Sequence, residues 1–187
     1  MIISVEKLRE YITTDEKDAV LEVMLHALEA SIRKKTNNNF QQRAYRVRCN
    51  ASLMNGLEFA SELFNVGDTV QVSDALLNLG VYTITEIDSD NAYTKVNALL
   101  MNEDNVLVTK VVYPADVIEG AVEIMRWKLK NRAANSGDTS KKDIASETIS
   151  RHSVTYVQDA TESDIDADFG VPKKYLAFLK DHKKARF

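Results

Sequence analysis

The stretch that decides the fold is residues 15–36, DEKDAVLEVMLHALEASIRKKT. Its large apolar residues recur at intervals of three and four, which places them along one side of an α-helix: Leu21, Met24, Leu25, Leu28 and Ile32. Such an apolar face cannot remain in water, so the rest of the chain must supply a partner for this helix.

The flanks of the same stretch predict where the helix begins and ends. Thr14 or Asp15 can cap the first turn, and the asparagines at 37–39 favour a stop because Asn tolerates the left-handed conformation. Val20, Val23 and Ala27 are expected to widen the apolar face.

Composition limits the classes of protein that the chain can belong to. Its 187 residues are 44% hydrophobic and 28% charged with a net charge of −4, which is typical of a globular protein and gives no polyanion-binding signature. The single cysteine, Cys49, excludes an intramolecular disulfide framework. The opening residues MIISVEKLREY lack the apolar core of a signal peptide, and no apolar run reaches membrane-spanning length, so we expect folding in a reducing cytoplasm and no membrane partner.

A short helix, VEKLREYI, precedes the long one, with Ser4 placed to cap it. After Phe40 the period changes from helical to alternating, as expected of β-strands. The sequence predicts strands at 43–49, 69–73, 80–87, 95–100 and 106–113, and leaves residues 50–61 undecided apart from a turn at Asn55-Gly56.

Helix returns at Pro114, where ADVIEGAVEIMRWKLKNR repeats the amphipathic pattern. The predicted fold is therefore α+β: a small helical core of two long antiparallel helices plus short N- and C-terminal helices, with an inserted small β-barrel-like unit. The expected division is 1–42 and 114–187 for the core with its C-terminal arm, and 43–113 for the all-β insertion.

The C-terminal part carries two segments without an evident place in this fold. Residues 144–157 alternate like a strand or hairpin, and Pro172 opens a last helix after the acidic run 159–168. Both segments fit arms that dock onto another subunit, although they could also fold back on the helical core.

Candidate chemistry is sparse. His26, His152 and His182 lack ligand spacing, and Cys49 is expected to be a packed side chain and not a nucleophile. Asp164, Asp166 and Asp168 imitate the start of a calcium loop, but the later glycine and glutamate are missing, which favours a solvated acidic linker. No catalytic residue, metal or cofactor is predicted.

The order of the parts resembles the head–tail connector (adaptor, head-completion) proteins of long-tailed bacteriophages. The resemblance lies in the VEKLREYI-like opening, the acidic-capped helix DEKDAVLEVMLHALEASIRKKTNNNF, the second helix PADVIEGAVEIMRWKLKNR and the following SETISRHSVTYV. The inserted stretch GDTVQVSDALLNLGVYTITEI, which the smallest connectors lack, resembles a small SH3-like barrel.

The resemblance implies a non-enzymatic virion protein of the neck that assembles in the host cytoplasm. Such proteins form a ring, a dodecamer, beneath the portal protein, extend the channel for passing double-stranded DNA, and provide the platform for the next stopper or tail protein. A net negative wall would let the duplex slide without sequence-specific binding.

The resemblance also assigns two sets of binding residues. The portal-binding set lies in the last helix: Pro172, Lys173, Lys174, Tyr175, Phe178, Leu179, His182 and Lys183. The subunit-interface set follows the second long helix: Ser146, Glu147, Ile149, Ser153, Val154 and Tyr156.

An alternative function is a nucleic-acid-binding or regulatory module that uses the SH3-like unit. Arg43, Arg46 and Arg48 would form its basic patch, although aromatic residues do not interleave with them. An enzyme is the third possibility, and the sequence offers no constellation for it.

Overall fold

The computed structural model describes residues 1–136, 146–149, 152–155 and 164–185. Over these residues the protein is a mixed α+β structure, as predicted. The α-helices are α1 (Val5–Tyr11), α2 (Asp18–Thr36) and α3 (Ala115–Ser136), and a 3₁₀ helix spans Lys173–Lys180.

Helix α1 begins as predicted, because the Ser4 hydroxyl accepts a hydrogen bond from the Lys7 N–H at 3.2 Å. Helix α2 begins later than expected: its N-cap residue is Lys17, which makes no side-chain capping bond. The predicted capping by Thr14 or Asp15 is therefore wrong. The cause is Arg9, whose guanidinium donates to the carbonyls of Thr14 at 2.9 Å and Glu16 at 2.7 Å and thereby holds this connection outside the helix.

The end of α2 follows the prediction, with Asn37 in the left-handed conformation at φ 50°. Its predicted apolar face is buried at Leu21, Leu25, Leu28 and Ile32. Val23 is 69% exposed and Ala27 is also exposed, so the wider face predicted from them is wrong. The elements that pack against α2 cover only the narrower apolar stripe of Leu21, Leu25, Leu28 and Ile32.

Six strands close into a barrel between α2 and α3, in the order β1-β2-β5-β4-β3-β6 with antiparallel neighbours. The strands are β1 (Gln41–Ser52), β2 (Gly56–Leu57), β3 (Thr69–Ser73), β4 (Gly80–Asp88), β5 (Tyr93–Val96) and β6 (Glu103–Val111). Two further pairs lie outside the barrel: β7 (Ser146–Ile149) with β8 (His152–Thr155), and β9 (Ile165–Asp166) with β10 (Val171–Pro172).

The undecided stretch 50–61 contains the end of β1, a tight turn and β2. Gly56 follows this turn as the first residue of β2 at φ +78°, and a Cβ there would lie 2.7 Å from the Thr94 carbonyl oxygen. Glycine is therefore required both by the backbone conformation and by the close approach of β5.

Buried apolar residues form two separate clusters. One joins α1, α2, α3 and the C-terminal residues, with Leu8, Leu25, Ile124 and Met125 almost fully enclosed. The other fills the barrel and includes Leu57, Val70, Ile84 and Val106. Each cluster has its own set of residues, so the helices and the barrel are each organised around their own interior.

A polar network joins the two clusters. Tyr113, just after β6, donates its hydroxyl proton to the Glu29 carboxylate of α2 at 2.6 Å, and Arg33 donates to the Gln71 side chain of β3 at 2.5 Å. The amino group of Met1 lies 3.6 Å from the other Glu29 oxygen. Burial, with the adjacent Glu29 charge, raises the pKa of Tyr113, so its hydroxyl remains a donor.

Tyr113→Phe is expected to lower the free energy of unfolding by about 1–3 kcal/mol, because the buried Glu29 carboxylate loses a hydrogen-bond donor. Urea denaturation measures this change. Tyr11→Phe, which alters an exposed tyrosine of α1, serves as the matched control and is expected to have little effect. Equal stability of the two variants would contradict the assigned role of the network.

Candidate docking surface

One end of the barrel carries a patch of exposed leucine and methionine side chains. Strand β1 leads away from α2 and β6 returns to α3, so the turns at 53–55, 74–79 and 97–102 occupy the opposite end. We call the exposed apolar residues of these turns the apolar crown: Leu53, Met54, Leu76, Leu77, Leu79, Leu99 and Met101.

Exposure in the crown is extreme for apolar residues: 91% for Leu76, and 86% for both Leu99 and Met54. Seven of the twelve large apolar side chains that are exposed in the described part of the chain belong to the crown. The exposure is therefore concentrated at one end of the barrel, and exposed apolar patches mark interaction sites on proteins.

Asn78 holds two turns of the crown together. Its side-chain amide donates to the Met101 carbonyl at 2.9 Å, and its side-chain oxygen accepts from the Met101 N–H at 2.8 Å. The Tyr82 hydroxyl donates to the Asn78 carbonyl at 3.1 Å. Since Asn78 is buried, these bonds are shielded from water and fix the turns firmly.

Glu103 binds the backbone of the turn at 74–79, which also contains Asn78. Its carboxylate accepts hydrogen bonds from the backbone N–H groups of Leu76, Leu77 and Asn78, the last two at 3.2 Å. These backbone donors, Leu76 first, lower the pKa of Glu103. The carboxylate thus stays ionised and keeps the leucines directed outward.

The third turn is tied to the other two. The Asn102 side-chain oxygen accepts from the Leu53 N–H at 2.9 Å. Arg48 bridges two residues with positive φ, donating to the Asp74 carboxylate at 2.5 Å and to the Asn105 carbonyl at 3.1 Å. The crown is consequently an ordered surface that needs little rearrangement to bind a partner.

The predicted portal-binding residues divide into two groups. Lys173, Lys174 and Lys183 are exposed, whereas the apolar members turn towards the helical cluster. Pro172 and Leu179 are buried, and Tyr175, Phe178 and His182 are half-buried. The predicted last helix is present as a 3₁₀ helix, Lys173–Lys180, with Pro172 before it and His182 and Lys183 after it.

Residues 164–185, here called the C-terminal segment, are attached to α2 and α3 by polar contacts. Lys35 binds the Asp166 and Asp168 carboxylates at 3.0 and 2.9 Å. His182 Nε2 lies 2.5 Å from the Asp116 carboxylate of α3, and this contact lowers the pKa of Asp116. Asp166 and Asp168 of the acidic run are therefore paired with a lysine, in contrast to the predicted solvated linker.

The predicted subunit-interface residues lie on the hairpin of β7 and β8, which pairs Ser146 with Thr155 and Ile149 with His152. The hairpin predicted within 144–157 is thus present. Glu147, Ser153 and Val154 belong to it, whereas Tyr156 lies outside the described residues. Their role at an interface stays a prediction.

The arginines of the alternative hypothesis do not form one free patch. Arg43 and Arg46 are exposed, but Arg48 is bound to Asp74. Within the described ranges no group of three or more histidine, cysteine or acidic residues could hold a metal ion, and no helix is long and apolar enough to cross a membrane.

Cys49 is buried inside the barrel, as predicted, and desolvation raises the pKa of its thiol to about 11. At pH 8 we expect iodoacetamide to modify it about 100-fold more slowly than an exposed thiol, since the thiolate is the nucleophile. Unfolding in urea should restore ordinary reactivity. Rapid modification of the folded protein would contradict this placement.

The same pKa shift predicts how stability changes with pH. The unfolded thiol releases its proton near its ordinary pKa of 9.0, whereas the folded thiol keeps it to about pH 11. The contribution of Cys49 to stability is therefore complete below pH 9 and declines as the pH rises through this interval.

Sequence reasoning missed the crown. The signal was present in DALLNLG, where adjacent leucines lie between turn-forming residues and match neither the helical nor the alternating period. The second leucine pair, in NALLM, falls in the strand predicted at 95–100, and that prediction is wrong from residue 97 onward because β5 ends at Val96. No known protein family matches the chain, and no curated protein is significantly similar to it.

Proposed function

We propose that the protein is a head–tail connector of a long-tailed bacteriophage, a non-enzymatic assembly protein that forms a ring beneath the portal. The observation that carries the proposal is the order of parts: a short helix, a long helix, a β insertion, a second long helix, a hairpin and a terminal segment. This order is the one on which the resemblance to connectors rests.

In this proposal the helical parts, 1–42 and 114–187, are the ring-forming core, and 43–113 is an SH3-like insertion. Two separate apolar clusters support such a division, because each group of elements has its own interior. The hairpin of β7 and β8 would contact the neighbouring subunit. It is a two-stranded sheet of its own, and a hairpin of that size is marginal in water without a partner.

The C-terminal segment would supply the portal contact. Its apolar residues pack on the helices in the free protein, so portal binding would require their release, with the exposed Lys174 and Lys183 placed for first contact. The apolar crown would be the platform for the next neck or tail protein, since it is the largest concentration of exposed apolar side chains on the described surface.

Sedimentation tests the proposal directly. Portal rings from the same virus, mixed with this protein, should carry it in a fixed ratio of one copy per portal subunit. A monomer in isolation is compatible with the proposal, because a ring template raises the local concentration of subunits. Failure to co-sediment at a tenfold molar excess would contradict it.

A further inference from the structure

We propose that the apolar crown binds a partner protein through an apolar surface rimmed by lysine and arginine side chains. This deepens the platform role given above by naming the chemistry of the partner.

The crown turns and the adjoining strand ends contain no basic residue. Residues 49–60, 73–81 and 97–105 include Glu58, Asp74, Glu103 and Asp104, but no lysine or arginine. Asp74 is paired with Arg48, and Glu103 is bound to the backbone of the crown itself. Glu58 and Asp104 remain as the exposed acidic groups of this region.

These two carboxylates line an open groove beside the crown. The groove has a volume of about 370 Å³, and Ser52 and Asn102, which flank Leu53 and Met101 in sequence, also line it. An apolar surface is thus bordered by negative charge. If a partner places apolar side chains on the crown, the residues around its apolar centre would lie opposite Glu58 and Asp104.

The acidic border distinguishes between possible occupants. An anionic lipid surface would be repelled, since membrane-binding surfaces use lysine and arginine. A second crown facing the first would oppose Glu58 and Asp104 with identical carboxylates, and like charges across an interface are unfavourable. A protein surface with basic residues around an apolar centre complements both the apolar side chains of the crown and the carboxylates beside them.

Rigidity adds a second argument for a protein partner. The backbone of the crown is fixed by Asn78, Glu103 and Asn102, so the positions from which its leucines project are held in one arrangement. A fixed surface has a smaller ordering cost on binding, which suits recognition of a shaped partner.

The test uses three fluorescent peptides that share one leucine-rich core and carry lysine, glutamate or serine flanks. Fluorescence anisotropy measures their binding to the full chain. We expect the lysine-flanked peptide to bind at least tenfold more tightly than the glutamate-flanked one. The double variant Leu76→Ser, Leu99→Ser should lose at least tenfold in affinity, while thermal unfolding stays unchanged because both side chains are exposed.

A charge-exchanged variant isolates the role of the rim. Glu58→Lys with Asp104→Lys keeps every leucine of the crown, and we expect it to prefer the glutamate-flanked peptide. Asn78→Ala serves as a further variant that loosens the crown without removing an apolar side chain, and it should weaken binding of the lysine-flanked peptide.

Four outcomes would overturn the inference: equal binding of all three peptides, binding of none, binding to vesicles of phosphatidylcholine and phosphatidylglycerol that Leu76→Ser abolishes, or self-association that Leu76→Ser abolishes. None of these depends on the portal. Failure of this inference is therefore distinguishable from failure of the connector proposal, which the portal mixture tests.

Discussion

Leu179→Ala is expected to lower the free energy of unfolding by about 2–5 kcal/mol, the range for a buried leucine truncated in a packed core. Leu179 is only 2% exposed, and it shares the helical cluster with Val117, Ala121 and Ile124 of α3. Truncation would leave a cavity between the C-terminal segment and α3. Chemical denaturation measures the loss.

Lys180→Ala is the matched control, because it alters the next residue on the same 3₁₀ helix but an exposed side chain. A change within about 0.5 kcal/mol is expected there. If Leu179→Ala were equally mild, the C-terminal segment would not be part of the core of the free protein.

Gly120→Ala is expected to displace the C-terminal segment from α3. A Cβ at position 120 would overlap the Phe178 ring, so the ring must move away. In an exposed helix the same change would be favourable by up to about 1 kcal/mol. Here the overlap opposes docking, and overpacking of this kind costs about 1–3 kcal/mol. Trypsin cleavage after Lys173 and Lys174 should accelerate at least tenfold.

The double variant Gly120→Ala, Phe178→Ala separates overlap from helix propensity. Removing the ring gives the new methyl group room, so cleavage should be slower than in Gly120→Ala alone. Identical cleavage of Gly120→Ala and the unaltered protein would show that Phe178 does not rest on Gly120. If the segment is the portal anchor, Gly120→Ala should bind portal more tightly, because a released segment no longer has to be detached first.

The sequence predicted those elements whose pattern is set by a local period. Leu21, Leu25, Leu28 and Ile32 have one helical spacing, and their burial follows from it. The strands at 69–73 and 80–88 follow equally from alternation between turn residues. Exposure of Val23 could not be foreseen, since the number of elements covering a helix is a property of the tertiary structure.

The C-terminal segment illustrates a second limit. Its packing depends on a glycine at 120 that admits the ring of Phe178, and on Lys35 meeting Asp166 and Asp168. No spacing rule links residues so distant in sequence. The sequence of the C-terminal segment was therefore compatible both with an arm that binds another subunit and with an element that packs in the chain's own core.

The crown illustrates a third limit. Leu76 and Leu99 are apolar residues in turns, where period gives no information about the direction of a side chain. Their exposure follows from Asn78 and Glu103, whose polar side chains bind the backbone of these turns from inside. Hydrogen bonds of that kind become visible only when the strands are brought together.

Cryo-electron microscopy of this protein mixed with the portal protein of the same virus tests the central claim most directly. The connector proposal predicts a ring of this protein stacked under the portal with matching symmetry. Density for residues 172–183 should lie against the portal, and the apolar crown should remain accessible to the next component. Portal rings without bound protein at every mixing ratio would contradict the proposal.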